Sequence, residues 1–300
     1  MEKIVKLKPV VKSYIWGGQY FQKYGKGDQE VISELWELSL RDGNSSIIAE
    51  GEYKGLELNK VVTKEDVGPA QTRFPYFPLL IKLIDAKRDL SVQVHPSDDY
   101  ALKNENSFGK SEMWHIIDAD DGAGLYIGLK ENSSKEDIEK RLNDGTILEA
   151  LNFVHVKPGD TFVINPGTIH AIGAGMRLIE IQQNSDLTYR LFDYNRLDKD
   201  GNPRELHIEK ALKVIDYSSY KFIKNQDSVL ADNQYFKVKR ESFNKELVIK
   251  ANRDSFVSFT FIDGEGTVDG MKFQKFDTFF LPYGKECTVK GNGVVIISEV

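Results

Sequence analysis

Cysteine is nearly absent from this chain: Cys287 is the single one among 300 residues, so an intrachain disulfide is excluded. We interpret Cys287 as a small buried residue of a protein kept in a reducing compartment. The sequence also has no apolar run long enough to cross a membrane, and its first residues lack the apolar centre of a secretory signal. These absences predict a cytoplasmic protein with no membrane partner.

An excess of positive charge is also absent. The chain has 40 lysines and arginines against 46 aspartates and glutamates, and the resulting net charge of −6 argues against a nucleic-acid partner. Neither a Walker-type P-loop nor a GxGxxG motif occurs, so nucleotide binding has little support. The aromatic fraction of 11% and the charged fraction of 29% are those of an ordinary globular protein, which excludes a disordered or fibrous class.

Most of the chain consists of short runs rich in Val, Ile, Phe and Tyr, separated by Gly, Pro, Asn and Asp. This pattern is typical of an all-β sandwich or barrel. The clearest runs are residues 47–53, 77–85, 124–129, 154–165, 177–183 and 294–300. A mainly β fold is therefore predicted.

Helical patterning is confined to a few stretches. The clearest covers residues 133–151, where Ser133 or Ser134 can cap the first turn and an apolar stripe follows. A second helix is predicted over residues 97–105 with Ser97 as its cap, and a third over residues 207–215. Helices are thus expected to decorate a β-core.

The end of the chain repeats its middle in weaker form. Residues 157–172 and 275–290 both contain Asp-Thr-Phe, an apolar run and a proline with a nearby glycine, and in this alignment His170 falls at Cys287. No histidine follows His207, so a second β-unit could not repeat a two-histidine site. We predict two units: a catalytic unit of residues 1–224 and a metal-free β-unit of residues 225–300. A polar linker around residues 224–233 would join them.

Two distant histidines could share one metal ion. In the strand-like run that contains Gln93 and His95, residues two apart point to the same face, so an amide oxygen and an imidazole nitrogen would meet one site. Glu112 and His170 would complete a set that suits zinc or a similar divalent ion and leaves a solvent position open. From spacing alone, this site and an ordinary structural role for both histidines remain open alternatives.

The other three histidines are interpreted as structural. His115 follows Glu112 closely beside a tryptophan, His155 lies in an alternating strand, and His207 opens the predicted third helix. His95 and His170 differ because each adjoins a proline turn at a strand end, where ligand sites of β-barrels collect.

The run GDTFVINPGTIH, which ends at His170, resembles the second motif of the cupin superfamily. A fuller match lies in PLLIKLIDAKRDLSVQVHPSDDYA, KSEMWH, GTIHAIG and IEIQQNSDLTYRLFDYNR, which in this order resemble the type I, metal-dependent mannose-6-phosphate isomerases. The resemblance covers most of the chain from Trp16-Gly17-Gly18 onward, and the length is similar to the short bacterial branch. It implies two cupin-like β-sandwich, or jelly-roll, units with a few helices.

The resemblance also assigns roles to single residues. It implies one zinc ion per chain, with other divalent ions possible, and makes Gln93, His95, Glu112 and His170 the metal ligands. The catalytic positions of the family fall on Arg190, Lys110 and Lys82, and its substrate-binding positions on Ser91 and Glu180. Lys82 lies among apolar residues in LLIKLI, where a lysine needs a partner or a ligand.

Two features of the sequence depart from expected patterns. Glu180 is ten residues beyond His170, where the long forms of the family have nine. Ordinary cupins carry a His-x-His pair with a glutamate soon after, whereas here Gln93 replaces the first histidine and Glu112 follows His95 by seventeen residues. The second departure favours the isomerase over an iron-dependent cupin oxidoreductase.

The expected function is the interconversion of mannose 6-phosphate and fructose 6-phosphate, with the sugar phosphate as partner. The reaction moves a proton between C1 and C2 through an enediolate, so the site must stabilise an oxyanion and position a proton carrier. Zinc can stabilise the oxyanion as a Lewis acid. The alternative is a non-catalytic cupin that binds a metal and senses or binds a sugar phosphate.

Overall fold

The computed structural model describes residues 1–198, 200–221, 227–251 and 254–300. The strands in these residues are β1 Val5–Lys8, β2 Val10–Lys12, β3 Glu34–Leu38, β4 Leu40–Arg41, β5 Asn44–Ser45, β6 Ile47–Glu50, β7 Leu79–Ala86, β8 Val92–Val94, β9 Glu112–Ala119, β10 Gly124–Leu129, β11 Leu151–His155, β12 Thr161–Ile164, β13 His170–Ile172, β14 Met176–Gln183, β15 Tyr189–Phe192, β16 Val229–Asp232, β17 Lys237–Lys250, β18 Val257–Val268, β19 Met271–Gln274, β20 Thr278–Leu281 and β21 Glu286–Glu299.

Helices are few and short beside these strands. The α-helices are α1 Lys64–Val67, α2 Asp98–Asn104, α3 Lys135–Asn143, α4 Ile147–Ala150 and α5 Ile208–Ala211, and the 3-10 helices are Tyr20–Tyr24, Leu58–Lys60 and Pro69–Arg73. None of the helices in the described ranges has the length and apolar character needed to cross a membrane. The predicted mainly β fold with decorating helices is confirmed.

The predicted helix caps are present where the sequence indicated. Ser97 accepts the Tyr100 amide at the start of α2, and Ser134 accepts the Asp137 amide at the start of α3. The stretch 133–151 forms two helices because Gly145 adopts a left-handed φ of 71° between α3 and α4. The third predicted helix is limited to the four residues of α5.

Two antiparallel sheets enclose the first half of the fold. The six-stranded sheet has the order β12-β9-β14-β7-β3-β2, and the five-stranded sheet has the order β11-β10-β13-β8-β15. A buried apolar cluster joins them, with Ile84 and Trp114 from the first sheet and Leu125 and Ile127 from the second. Burial of this cluster brings the ends of β8, β9 and β13 together.

Strand β7 lies in the middle of the six-stranded sheet, and all eight of its residues are buried. Its sequence LLIKLIDA is apolar on both faces, as expected for a strand covered on both sides. Lys82 and Asp85 are its two charged residues, so the fold must supply each of them with partners.

The eight-stranded sheet contains strands from both ends of the chain. Its order is β16-β17-β21-β18-β20-β1-β6, with β19 paired to β18, and β4 and β5 form a separate pair. Val5 of β1 lies opposite Phe280 of β20, and an apolar cluster that includes Leu7 and Phe236 lies beneath. β1 and β6, from the start of the chain, share this sheet with the C-terminal strands. The division of the chain into residues 1–224 and 225–300 therefore stays a prediction.

The two related segments of the sequence have related structures. Asp160 precedes β12 and Asp277 precedes β20, and each strand is followed by a proline turn and a further strand. Cys287 is buried near the start of β21, as predicted. Residues 222–226, where part of the predicted linker falls, lie outside the described residues, and Val229–Asp232 of that stretch forms β16.

Candidate active site and metal centre

The candidate metal ligands converge from both sheets of the first half. His170 opens β13 and lies opposite Gln93 of β8, while His95 directly follows β8. Glu112 opens β9 in the facing six-stranded sheet. Antiparallel pairing and the packing of the two sheets therefore bring together residues that are far apart in the sequence.

His95, Glu112 and His170 form a buried group whose ligand atoms all lie within 4.8 Å of one another. His170 Nε2 is 3.2 Å from Glu112 Oε1, and His95 Nε2 is 3.5 Å from Glu112 Oε2. One carboxylate and two imidazoles at this spacing can hold a divalent metal ion.

The two imidazoles are oriented by the backbone. His95 Nδ1 lies 2.8 Å from the Leu187 carbonyl oxygen, and His170 Nδ1 lies 2.9 Å from that of Thr168. A carbonyl only accepts, so each Nδ1 carries the proton and each Nε2 offers its lone pair to the shared point. Burial lowers the pKa of His170 to about 4, and burial together with Lys110 lowers the pKa of His95 well below its ordinary value, so both rings are neutral at pH 7.

The Glu112 carboxylate is fully buried. Burial raises its pKa to about 7, although Lys110 Nζ lies 2.8 Å away and opposes the rise. Lys110 is the cationic partner of Oε2, whereas Oε1 lies beside His170 Nε2, which carries no proton. A cation between the carboxylate and the two imidazoles would pair with all three groups. The residues present therefore fit a divalent metal ion.

Gln93 adds an amide group to the same point. Its Nε2 lies 3.3 Å from His170 Nε2, and a half-turn of the amide would present Oε1 there instead. The predicted ligands Gln93, His95, Glu112 and His170 are thus all brought together.

A cavity of about 460 Å³ borders the metal group. All five predicted catalytic and substrate-binding residues line it, and they are Lys82, Ser91, Lys110, Glu180 and Arg190. Lys110 links the cavity to the metal group, because its Nζ also lies 3.3 Å from His95 Nε2.

Lys82 and Glu180 form a buried ion pair across neighbouring strands. They are direct partners in the pairing of β7 with β14, and Lys82 Nζ is 2.8 Å from Glu180 Oε2. The other oxygen, Oε1, accepts the Trp114 Nε1–H at 3.0 Å. Burial opposes ionisation of both groups, but the Lys82 ammonium lowers the pKa of Glu180 to about 2 and Glu180 raises the pKa of Lys82. Both side chains are charged at neutral pH.

Arg190 lies on β15 opposite Gln93 and reaches the cavity from the five-stranded sheet. Its Nε donates to Ser91 Oγ at 3.3 Å, and one terminal nitrogen donates to the Glu205 backbone oxygen at 2.7 Å. Both acceptors are neutral, so the guanidinium keeps its full positive charge toward the cavity.

Several lining residues carried no usable signal in the sequence. They include Glu34 and Trp36 of β3, Arg204, His207 and Lys210. His207, interpreted above as structural, lines the cavity, and its Nδ1 accepts the Arg190 backbone N–H at 3.2 Å.

The remaining two histidines lie away from the cavity. His115 is buried, with its Nδ1 2.7 Å from Thr161 Oγ1, and His155 is exposed at the end of β11. Neither belongs to the metal group.

Comparison with known proteins places this chain in a family. The family model for the catalytic domain of type I phosphomannose isomerase matches residues 4–116. The mannose-6-phosphate isomerase ManA of Bacillus subtilis is 36% identical over 98% of this chain and 98% of its own length. A mannose-6-phosphate isomerase of Streptococcus mutans is 39% identical over 67% of this chain and 64% of its own length.

A solved structure agrees over the full length. The crystal structure of the mannose 6-phosphate isomerase from Bacillus subtilis superposes with a TM-score of 0.90 at 33% identity, and the match covers 100% of both chains. The match includes both the sheets around the metal group and the eight-stranded sheet. This chain belongs to the type I phosphomannose isomerase family.

Proposed function

We propose that this chain interconverts mannose 6-phosphate and fructose 6-phosphate with a zinc ion held by Gln93, His95, Glu112 and His170. The observation that carries the proposal is the buried carboxylate and imidazole group, which borders a cavity whose lining includes Lys82, Lys110 and Arg190. As a member of this family the chain is an enzyme, a mannose-6-phosphate isomerase. The alternative of a non-catalytic sugar-phosphate-binding cupin is not favoured by the relatives.

Zinc is the metal that the donor set fits best, since two imidazoles, one carboxylate and one amide oxygen suit a borderline ion. When bound, it would supply Lewis-acid stabilisation of negative charge on the substrate oxygens without a change of redox state. Cobalt and manganese remain possible substitutes on chemical grounds.

The protein's own groups divide the remaining work. Lys82 is held as a cation by Glu180, so it can donate hydrogen bonds to a developing oxyanion but is a poor base. Arg190 presents a second cation whose protein partners are neutral. Both groups are fixed before the substrate arrives. For Lys82 this spares the reorganisation that water would need around the enediolate, and for Arg190 it favours binding of the charged part of the substrate.

The proton must be carried by another group. We assign this role to Lys110, because it lies in the cavity wall beside both Glu112 and His95, where the reacting carbons of a bound sugar would lie. Lys110 differs from Lys82 because its carboxylate partner, Glu112, would share its charge with a bound metal ion, whereas Glu180 has no such second partner. Glu180 is excluded as an acid at neutral pH because its pKa is about 2. We assign it instead the task of holding Lys82. Ser91 would bind the substrate together with Arg190, to which it is already hydrogen-bonded.

The test is the rate of conversion of mannose 6-phosphate to fructose 6-phosphate before chelation, after chelation and after zinc is restored. We expect turnover to vanish with the chelator and to return with zinc. The His155→Ala variant, changed at an exposed histidine outside the metal group, is the matched control and should behave as the unchanged protein does. A metal-replete protein without turnover would instead support the non-catalytic cupin.

We further propose that the protein is cytoplasmic, because a single buried cysteine suits a reducing compartment.

A further inference from the structure

Two arginines near the cavity share one carboxylate, and a third arginine lines the cavity beside them. Asp193 follows β15 and is buried, and it pairs with both Arg196 and Arg204. Arg190, the third, forms no ion pair with a carboxylate in the described ranges. The nearby Glu205 side chain is 84% exposed, so water screens its charge, and its Oε2 lies 3.9 Å from His207 Nε2. The cluster of Arg190, Asp193, Arg196 and Arg204 therefore has a net charge of +2.

Arg204 is held rigidly within this cluster. Its Nε donates to Asp193 Oδ2 at 2.7 Å, and its terminal nitrogen Nη2 donates to Oδ1 at 2.5 Å, which is the two-pronged geometry of an arginine and a carboxylate. The side chain lines the cavity. Asp193 engages two of its five N–H groups, and no other acceptor in the described part of the chain bonds to the remaining three. These three N–H groups have a fixed direction and can donate to a ligand.

Arg190 and Arg204 line the same cavity with like charges. After burial, repulsion by Arg204 is the main reason that the pKa of Arg190 is lowered. The backbone oxygen that Arg190 binds belongs to Glu205, the residue next to Arg204, so the two guanidinium groups are tied to one segment. Like charges held together in a cavity wall are stabilised when an anion binds between them.

We propose that Arg204 binds the phosphate group of the substrate together with Arg190, and that Asp193 is the residue that positions Arg204. The inference rests on the proposed function, since it assigns the phosphate of that sugar phosphate to this end of the cavity. Two excess positive charges match a phosphate dianion, and a guanidinium already fixed by a carboxylate loses little entropy when it binds. The reacting carbons would then lie toward Lys110 and the metal group.

The first test is Arg204→Met, which keeps the length of the side chain and removes its charge. We expect KM for mannose 6-phosphate to rise about 10- to 100-fold, the loss expected for one hydrogen bond to a charged group. The kcat should stay within about threefold and the zinc content should not change. Arg204→Lys should raise KM by a smaller factor. Arg141→Met, on the surface helix α3, is the control and should leave KM unchanged.

The second measurement is the affinity of each zinc-loaded protein for inorganic phosphate by calorimetry, which does not depend on turnover. Arg204→Met should weaken phosphate binding by a similar factor. KM and phosphate affinity within twofold of the unchanged protein would overturn the assignment. If Arg204→Met does not fold, the test uses Arg204→Lys, and a KM and phosphate affinity within twofold of the unchanged protein would again overturn the assignment. A protein that fails to isomerise the sugar phosphate but loses phosphate affinity on Arg204→Met refutes the proposed function and supports this inference.

The positioning role of Asp193 is tested with Asp193→Asn alone and combined with Arg204→Met. Asp193→Asn should raise KM several-fold with kcat nearly unchanged. If Asp193 acts through Arg204, the double variant should have a KM within twofold of Arg204→Met alone. A KM in the double variant equal to the product of the two single effects would show that Asp193 acts by another route.

Discussion

The buried pair of Lys82 and Glu180 allows a prediction whose size follows from the structure. The change is Glu180→Gln, which keeps the shape of the side chain and an oxygen for the Trp114 indole. It leaves the Lys82 ammonium buried, with the Glu34 carboxylate 3.9 Å away as its nearest remaining acid among the described residues. We expect the protein to lose stability, because a buried charge without its partner is costly.

The size follows from the pKa of Glu180. Folding lowers it from an ordinary 4.5 to about 2, and each unit is equivalent to about 1.4 kcal/mol, so the charged carboxylate contributes about 3 kcal/mol at pH 7. Removal of one partner from a buried ion pair is known to cost about 3–5 kcal/mol, which agrees. The acid has the depressed pKa, so its contribution is fully present above pH 4.5 and is lost as the pH falls toward 2. About half should remain at pH 3.

The assay is urea unfolding of both proteins at pH 7 and at several lower values. Glu139→Gln, which breaks the exposed pair with Lys135, is the control and should cost less than about 0.5 kcal/mol at every pH. A difference below about 1 kcal/mol between Glu180→Gln and the unchanged protein at pH 7 would refute the reasoning. So would a difference that stays constant from pH 7 to pH 3.

Three further predictions concern the metal group and the cavity. His95→Ala and His170→Ala should each lose bound metal and at least 100-fold in turnover, measured by elemental analysis and rate, while exposed His155→Ala keeps both. Arg190→Ala should retain the metal and lose turnover, and a near-normal rate would remove that arginine from the mechanism. Protons compete with the metal for Glu112, whose pKa is about 7, so zinc affinity measured by chelator competition should fall up to tenfold per pH unit below 7. Since the pKa of His170 is about 4, a protonation step of His170 at pH 6 would contradict the geometry.

The sequence predicted the positions that depend on local rules. Strand alternation placed Gln93 and His95 at one site, serine caps placed the starts of α2 and α3, and the apolar surroundings of Lys82 indicated that it needs a partner. Each of these follows from a few neighbouring residues, and the structure has each of them.

The residues that escaped prediction depend on pairing between distant strands. Glu34 and Trp36 line the cavity because β3 lies beside β7 in the six-stranded sheet, and nothing local to either strand encodes that neighbour. Arg204 and His207 come from an irregular segment after β15, where no periodic pattern exists to assign a face. His207 was expected to have a structural role because it precedes a helix, and it nevertheless lines the cavity.

On the ribosome, β1 emerges long before the strand that it must pair with. Val5 lies opposite Phe280, so nearly the whole chain is synthesised before that edge of β1 can be closed. Until then the backbone N–H and C=O groups of that edge, and the apolar residues beneath it, are exposed to other chains. Completion of the eight-stranded sheet therefore has to wait for translation of β20. A chain released before that point would keep an unpaired edge of β1 that can pair with other chains and aggregate.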